Sequence, residues 1–219
     1  MSGQPARDEH TPPLTAKGDD RRRALLDAAE HILIEQGNAR LSMRAVAATA
    51  GVRLGHLQYY FPARADLIQA VLARALERSL DRLTRTTGAP AEAPAGAPAG
   101  TALDGDPADL VAALLTEHAD PRLTRLFAEI WALAARDDAV ASVARAFYRD
   151  YRDHVATVIA RANPGQPDAV NLARAEVLVM LLEGASLFRS GITGDRSAAT
   201  DTELVRTALR LLGDAAHER

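Results

Sequence analysis

Ser42 to Phe61 reads SMRAVAATAGVRLGHLQYYF, and its punctuation decides the fold. Ser42 is a good N-cap, because its hydroxyl oxygen can accept from the free amides of a helix's first turn. Between Met43 and Thr49 the apolar residues Met43, Val46 and Ala47 recur at helical spacing, which predicts a short helix with one inner face. Gly51 then stands where a backbone with positive φ lets the chain turn sharply, and Val52 follows to fill the angle. A second helix, about Arg53 to Tyr60, turns Leu57 inward and leaves Arg53, Leu54, His56 and Tyr59 as candidates for the open face. Gly55 lies mid-helix, at a penalty of about 1 kcal/mol relative to alanine. Close approach to a base edge or a nucleic-acid backbone gives that penalty a reason. Two short helices across a glycine turn are the arrangement of a DNA-reading helix-turn-helix.

Upstream, residues 1–18 contain three prolines and few large apolar groups and read as a disordered arm. A helix is expected to start near Asp19 or Asp20 and to run to Gly37, with Leu25, Ala28, Ala29, Ile32 and Leu33 as its apolar stripe. Arg21, Arg22 and Arg23 fall in its first turn, where the helix dipole disfavours positive charge. Either they lie in solvent, where that penalty is small, or at least one meets a DNA phosphate. Downstream, Pro62 breaks the chain, and a long amphipathic helix follows with Leu67, Ile68, Val71, Leu72, Ala75 and Leu76 on its buried side. Asp66 suits the positive end of that helix. Arg64 does not, which makes it a second phosphate candidate.

Residues 85–105 are rich in Ala, Pro and Gly and read as a linker, either a hinge or a tolerated insertion. The body starts at Asp106-Pro107, a cap followed by a proline at the first helical position. Asp120-Pro121 repeats the signal, another helix begins near Asp138, and Asn163-Pro164-Gly165 ends it. A helix over 168–190 follows, and Thr200 to Glu203 reads as a capping box for a last helix ending near Leu212. No strand pattern competes. The expectation is an all-α, nine-helix, two-domain protein: a three-helix DNA-binding unit with its connecting helix over 19–84, and a helical bundle over 106–215.

Composition removes several classes. The 219 residues are 47% hydrophobic and contain no cysteine, so disulfides and thiolate chemistry are excluded and a reducing cytoplasm is acceptable. No apolar run reaches the length of a membrane span, and the polar start is unlike a secretory signal. HExxH, P-loop and GxSxG motifs are missing, so no enzyme, metal site or cofactor is expected. Net charge is -3, but residues 17–72 carry a local +2 and the remainder a local -5. A weakly basic head on an acidic body suits a protein that offers one end to nucleic acid.

Ala50, Gly51, Val52, Gly55, Leu57, Tyr60 and Phe61, followed by Arg64 and Leu67, resemble the signature of the TetR family of transcriptional regulators. The likeness covers residues 21–72. Two positions depart from the usual pattern: Arg53 then Leu54 follow the turn, and Gln58 follows the inward leucine. The resemblance implies that Leu54 faces a base edge, Gly55 permits close approach, and Tyr59 and Arg64 meet phosphates. Chemically, Leu54 offers only apolar contact, for instance to a thymine methyl, whereas Arg53 and Gln58 can make bidentate base contacts. Arg44, His56 and Arg22 complete the expected DNA-contacting set.

The resemblance also implies a homodimer through the last two helices, 168–190 and 201–212, and a small-molecule effector bound in the body. The breadth of apolar surface at Val177, Val179, Leu181 and Leu182 agrees with an interface, although a central helix within one domain has the same composition. Phe127, Trp131, Phe147 and Tyr148 are the expected ligand-binding residues, with His118, Glu129 or His154 as polar groups. The expected function is a ligand-responsive regulator, a repressor by preference over an activator, on a near-palindromic double-stranded operator. A helical protein-interaction or scaffolding module is the alternative, separated from it by sequence-selective DNA binding.

Overall fold

Leu25, Leu26, Ala29, Ile32 and Leu33 are all buried, so the apolar stripe of the first helix is the surface on which the head assembles. The computed structural model describes residues 16–88, 107–194 and 196–213. Helix α1 (Ala16–Gln36) is followed by a short 3-10 turn (Asn38–Arg40), α2 (Met43–Thr49), α3 (Leu54–Tyr60) and α4 (Arg64–Thr87). The body comprises α5 (Pro107–Glu117), α6 (Pro121–Ala134), α7 (Asp138–Ala162), α8 (Asp168–Arg189) and α9 (Ala198–Leu212). These are nine α-helices among the described residues, and no strand occurs there. The expected arm falls outside the described residues up to residue 15, as does most of the expected linker.

Three boundaries differ from the sequence reading. Helix α1 begins at Ala16, about a turn before the expected aspartate caps; Asp19 lies in its first turn, and the Asp20 carboxylate pairs with Arg23 at 3.1 Å. Helix α4 continues through 85–87 and stops at Gly88, whose φ of 62° is left-handed. Helix α9 starts at Ala198 after Ser197, with no side-chain cap bond. The expected capping box fails because Thr200 lies inside the helix and its box partner Glu203 pairs with Arg206. Asp201, in the first turn, accepts from Arg189 at 2.8 Å and from Arg196 at 2.7 Å. Where aspartate does cap, at Asp120 and Asp137, the side-chain oxygens accept from Arg122 N at 2.8 Å and Ala139 N at 2.9 Å.

One hydrophobic cluster runs through head and body, from Leu25 in α1 to Leu212 in α9. Helix α4 is the member common to both halves. Arg74 fastens it to α1 through Asp27 at 2.7 Å and Glu30 at 2.6 Å. At its far end Thr87 Oγ1 donates to Leu83 O at 2.9 Å and accepts from His154 Nε2 on α7 at 2.7 Å. Burial, then the charge of Arg161, holds His154 below its usual pKa, so the ring is neutral. Its engagement with Thr87 removes His154 from the expected ligand-binding polar groups.

Polar ties also join α6 to the head. Glu35 on α1 pairs with Arg122 at 3.0 Å and Arg125 at 3.6 Å. Glu129 Oε2 accepts from the amide of Asn38 at 3.2 Å. Gly37 permits this approach: its φ is 77°, and a Cβ there would lie 3.0 Å from Glu129 Oε1. Glu129 therefore braces the head.

Candidate functional site

The helix-turn-helix is built by the residues that punctuate it. Ser42 Oγ accepts from Ala45 N at 3.2 Å and starts α2. Gly51, with φ of 65°, turns the chain, and Val52 N donates back to Ala47 O at 2.9 Å. Leu57 is 0% exposed and Phe61 is buried, which fixes the rotation of α3 about its axis. The opposite face is consequently determined. Arg53, Gly55, His56 and Gln58 are exposed, Leu54 is half-buried, and Tyr59 is 76% exposed. Tyr60 packs inward, with its ring 5.5 Å from that of His56 and 5.2 Å from that of Tyr59.

Two features of this face point outward. Arg53 occupies the N-cap position and is exposed to solvent. Gly55 has nothing of this chain within 4 Å of where a Cβ would lie. Its missing side chain is not required by the fold.

The other expected DNA-contacting residues divide. Arg44 on α2 is exposed. The guanidinium carbon of Arg22 lies 5.3 Å from the centroid of the Phe61 ring, a cation–π contact that packs it against the head. Arg64 is half-buried, with Nε donating to Leu41 O at 2.7 Å and Nη2 to Asn38 O at 3.0 Å. It also bonds the Asn38 side chain. Arg64 thus ties the first turn of α4 to the loop that carries Ser42, a positioning role that sequence alone does not reveal. Arg64→Ala is expected to weaken operator binding while leaving the slope of log affinity against log salt unchanged. A phosphate contact at Arg64 would instead lower that slope by about one. Filter binding over a salt series separates the two.

In the body, α6, α7 and α8 enclose a cleft of about 940 Å³. Trp131, Tyr148, Val179, Met180 and Glu183 line it, with Arg145 and Arg149 also contributing. Of the four expected aromatic ligand-binding residues, Trp131 and Tyr148 are therefore on the wall. Phe127 and Phe147 are buried behind it, their ring centroids 5.9 Å apart, and Phe147 stacks edge-on with Tyr148 at 5.0 Å. His118 faces a separate small cavity with Phe127; its Nδ1 donates to Leu114 O at 2.7 Å.

Trp131 Nε1 donates to Tyr148 Oη at 2.8 Å, and the Tyr148 hydroxyl and the Glu183 carboxyl interact across the same cleft wall. Burial pushes the Glu183 carboxyl up to about 7, opposed in part by the Tyr148 bond. Burial, then the Glu183 charge, raises the Tyr148 hydroxyl far above its usual range. The sequence reading missed Glu183, although a signal was present: it is the one charged residue in the apolar run VLVMLLEGASLF.

Helix α8 has a second face. Val177, Met180 and Phe188 are 50%, 69% and 62% exposed, while Leu178, Val179, Leu182 and Ala185 are buried beneath them. Among the described residues no group of metal-ligating side chains occurs, and no helix is long and apolar enough to cross a membrane.

An all-α head with an outward-facing second helix of a helix-turn-helix, joined to a helical body with a cleft, is the architecture of helix-turn-helix regulators. Residues 25–71 match the family described as bacterial regulatory proteins, tetR family. Residues 108–214 match the C-terminal family of BetI-type transcriptional repressors. An uncharacterised HTH-type transcriptional regulator of the dhlA 5′ region in Xanthobacter autotrophicus is 30% identical over 141 residues, covering 62% of this chain and 64% of its own length. The chain thus spans just under two thirds of that relative. The nicotine-responsive repressor HdnoR of Paenarthrobacter nicotinovorans is 26% identical over 171 residues, 77% of this chain and 82% of its own. A crystal structure of a Streptomyces coelicolor A3(2) regulator superposes with a TM-score of 0.66 at 25% identity, covering 89% of this chain and 99% of that one. The chain belongs to the TetR family of transcriptional regulators.

Proposed function

We propose that this chain is a ligand-responsive transcriptional repressor that binds a near-palindromic operator as a homodimer and leaves it when a small molecule enters the cleft. The observation that carries the reading is the outer face of α3. Arg53, Gln58 and Tyr59 are exposed there, and Gly55 opens a gap that nothing in this chain fills. Arg53 and Gln58 are the base readers, Leu54 meets a thymine methyl, and Tyr59 with Arg44 contacts phosphates. His56 flanks the readers. Arg22 and Arg64 hold the head in shape.

One seven-residue helix reads few base pairs, so two copies are needed. A two-fold pair sets recognition helices about 34–36 Å apart or a multiple of it. The exposed apolar face of α8, together with α9, is the surface that forms this pair. Coupling to the effector follows from α6, which supplies Trp131 to the cleft and Glu129 to the Asn38 amide. An effector that moves α6 acts on the loop before α2, and it shifts affinity by as much as it prefers the displaced state. The nicotine response named for HdnoR supports a small-molecule effector here.

The test is selection of bound sequences from random duplex DNA by the unliganded chain. A near-palindrome is expected, with binding that weakens steeply as salt rises. Tyr59→Ala is expected to lower affinity by roughly 10-fold or more without changing the melting temperature, because the ring is exposed. Absence of any sequence-selective binding at low salt would sink the reading.

A further inference from the structure

Glu183 presents a carboxylate to the cleft, and no arginine or lysine among the described residues forms an ion pair with it. The basic groups nearby have other arrangements. Arg152 pairs with Asp153 at 2.7 Å and Glu176 at 3.3 Å, while Arg145 and Arg149 are exposed residues of the cleft's lining. Arg82 and His118 line the small cavity on the other side of Glu183. The protein's own contact to the carboxylate is neutral, the Tyr148 hydroxyl. That hydroxyl accepts the Trp131 N–H at 2.8 Å, which leaves its own proton available to an acceptor. A carboxylate has room for several donors. Drawn out of water without a counter-charge, it is stabilised strongly by any cation that reaches it.

We propose that the cleft takes an apolar compound carrying a cationic nitrogen, with Glu183 as its counter-charge and the rings of Trp131 and Tyr148 beside it. The inference rests on reading this cleft as the effector site and names the class of effector. A volume of about 940 Å³ suits a drug-sized molecule. Ala134, Ala141, Ala144, Val179 and Met180 provide apolar wall for its body. Aromatic faces attract a cation further when water is excluded. The exposed arginines of the lining act through solvent and are screened, whereas the Glu183 contact is not. A neutral or anionic occupant would leave the carboxylate without a counter-charge.

Binding a cation there favours the ionised form of Glu183, whose carboxyl stands at about 7. For a probe whose own charge does not titrate, affinity therefore rises as pH climbs through the neutral range and levels off above it.

Trp131 is the single tryptophan of the chain and sits on the cleft wall, so its fluorescence reports occupancy directly. Three matched probes are titrated into the full-length protein: phenyltrimethylammonium, its uncharged isostere tert-butylbenzene, and 4-tert-butylbenzoate. At about pH 8 the cation is expected to bind on the order of tenfold tighter than the neutral isostere. Glu183→Gln is expected to remove that preference, with tert-butylbenzene bound at least as tightly as by the wild type and an unchanged far-ultraviolet circular dichroism spectrum showing that the variant is folded. Equal or tighter binding of the neutral or anionic probe, a cation preference that survives Glu183→Gln, or silence of Trp131 towards all three overturns the proposal. Operator release by a neutral or anionic compound that alters Trp131 overturns only the cationic class and leaves the effector cleft standing. A cleft that no compound occupies and an operator that none releases end both readings.

Discussion

Val177→Glu combined with Phe188→Glu is expected to convert a dimer into monomers and to abolish operator binding without unfolding the chain. Both side chains stand on the outer face of α8, 50% and 62% exposed, on either side of Met180 at 69%. Their spacing places them along one stripe of the helix. Neither contributes to the inner face, which Leu178, Val179, Leu182 and Ala185 provide. An apolar stripe of this size on a solvent-facing helix marks an interaction surface. In a two-fold interface each substitution appears twice, so four carboxylates must leave water without partners. The penalty for one such group is several kcal/mol, and dimerisation is expected to weaken by at least roughly 100-fold. Sedimentation equilibrium at micromolar concentration gives the mass, and far-ultraviolet circular dichroism gives the fold. A dimer mass for the double variant would place the interface elsewhere.

Glu183→Gln is expected to stabilise the unliganded protein at alkaline pH and to change little at acid pH. The sign follows from the carboxyl standing at about 7 in the fold against an ordinary value of 4.5. Below the lower value both states are protonated and no penalty exists. As pH rises from 4.5 through 7 the unfolded chain gains by ionising first, so stability is progressively lost. The upper bound for that difference is about 3 kcal/mol, since one pKa unit corresponds to roughly 1.4 kcal/mol. Glutamine keeps an oxygen for the Tyr148 hydroxyl and carries no charge. His154 acts in the opposite direction and is common to both proteins: its folded pKa is depressed, so stability is lost as pH falls below the ordinary histidine value. The wild type is therefore squeezed from both sides. Urea midpoints at about pH 5 and pH 8 check this, and an equal difference between variant and wild type at both would contradict the assignment to Glu183.

The reading head was the most legible part of the chain. Ser42, Gly51 and Leu57 each determine local geometry through their own chemistry, and a cap, a left-handed turn and an inward leucine need no distant partner. Helix α2 therefore fell within its expected bounds. What could not be read depends on groups brought together from far apart. Arg64 looks like a phosphate ligand until the Leu41 and Asn38 carbonyls, more than twenty residues upstream, arrive beside it. Thr200 to Glu203 has the letters of a capping box, but the helix starts at Ala198, two residues earlier, and Glu203 pairs with Arg206. The aromatic residues of the body were recognised as a group, yet only packing decides that Trp131 and Tyr148 face the cleft while Phe127 and Phe147 support it.

Helix α4 is fastened at both ends and in its middle, by Arg64 to Asn38, by Arg74 to Glu30 and by Thr87 to His154. Such a helix moves as a rigid rod. Its 24 residues span about 36 Å at roughly 1.5 Å per residue. A tilt of about 5° at the body end sweeps the Arg64 end through roughly 3 Å. In a symmetric pair the two sweeps add, and a spacing mismatch of roughly 6 Å approaches the rise of two base pairs, about 3.4 Å each. Under the proposed function the rod is a lever arm, which magnifies small adjustments around the cleft before they reach the DNA.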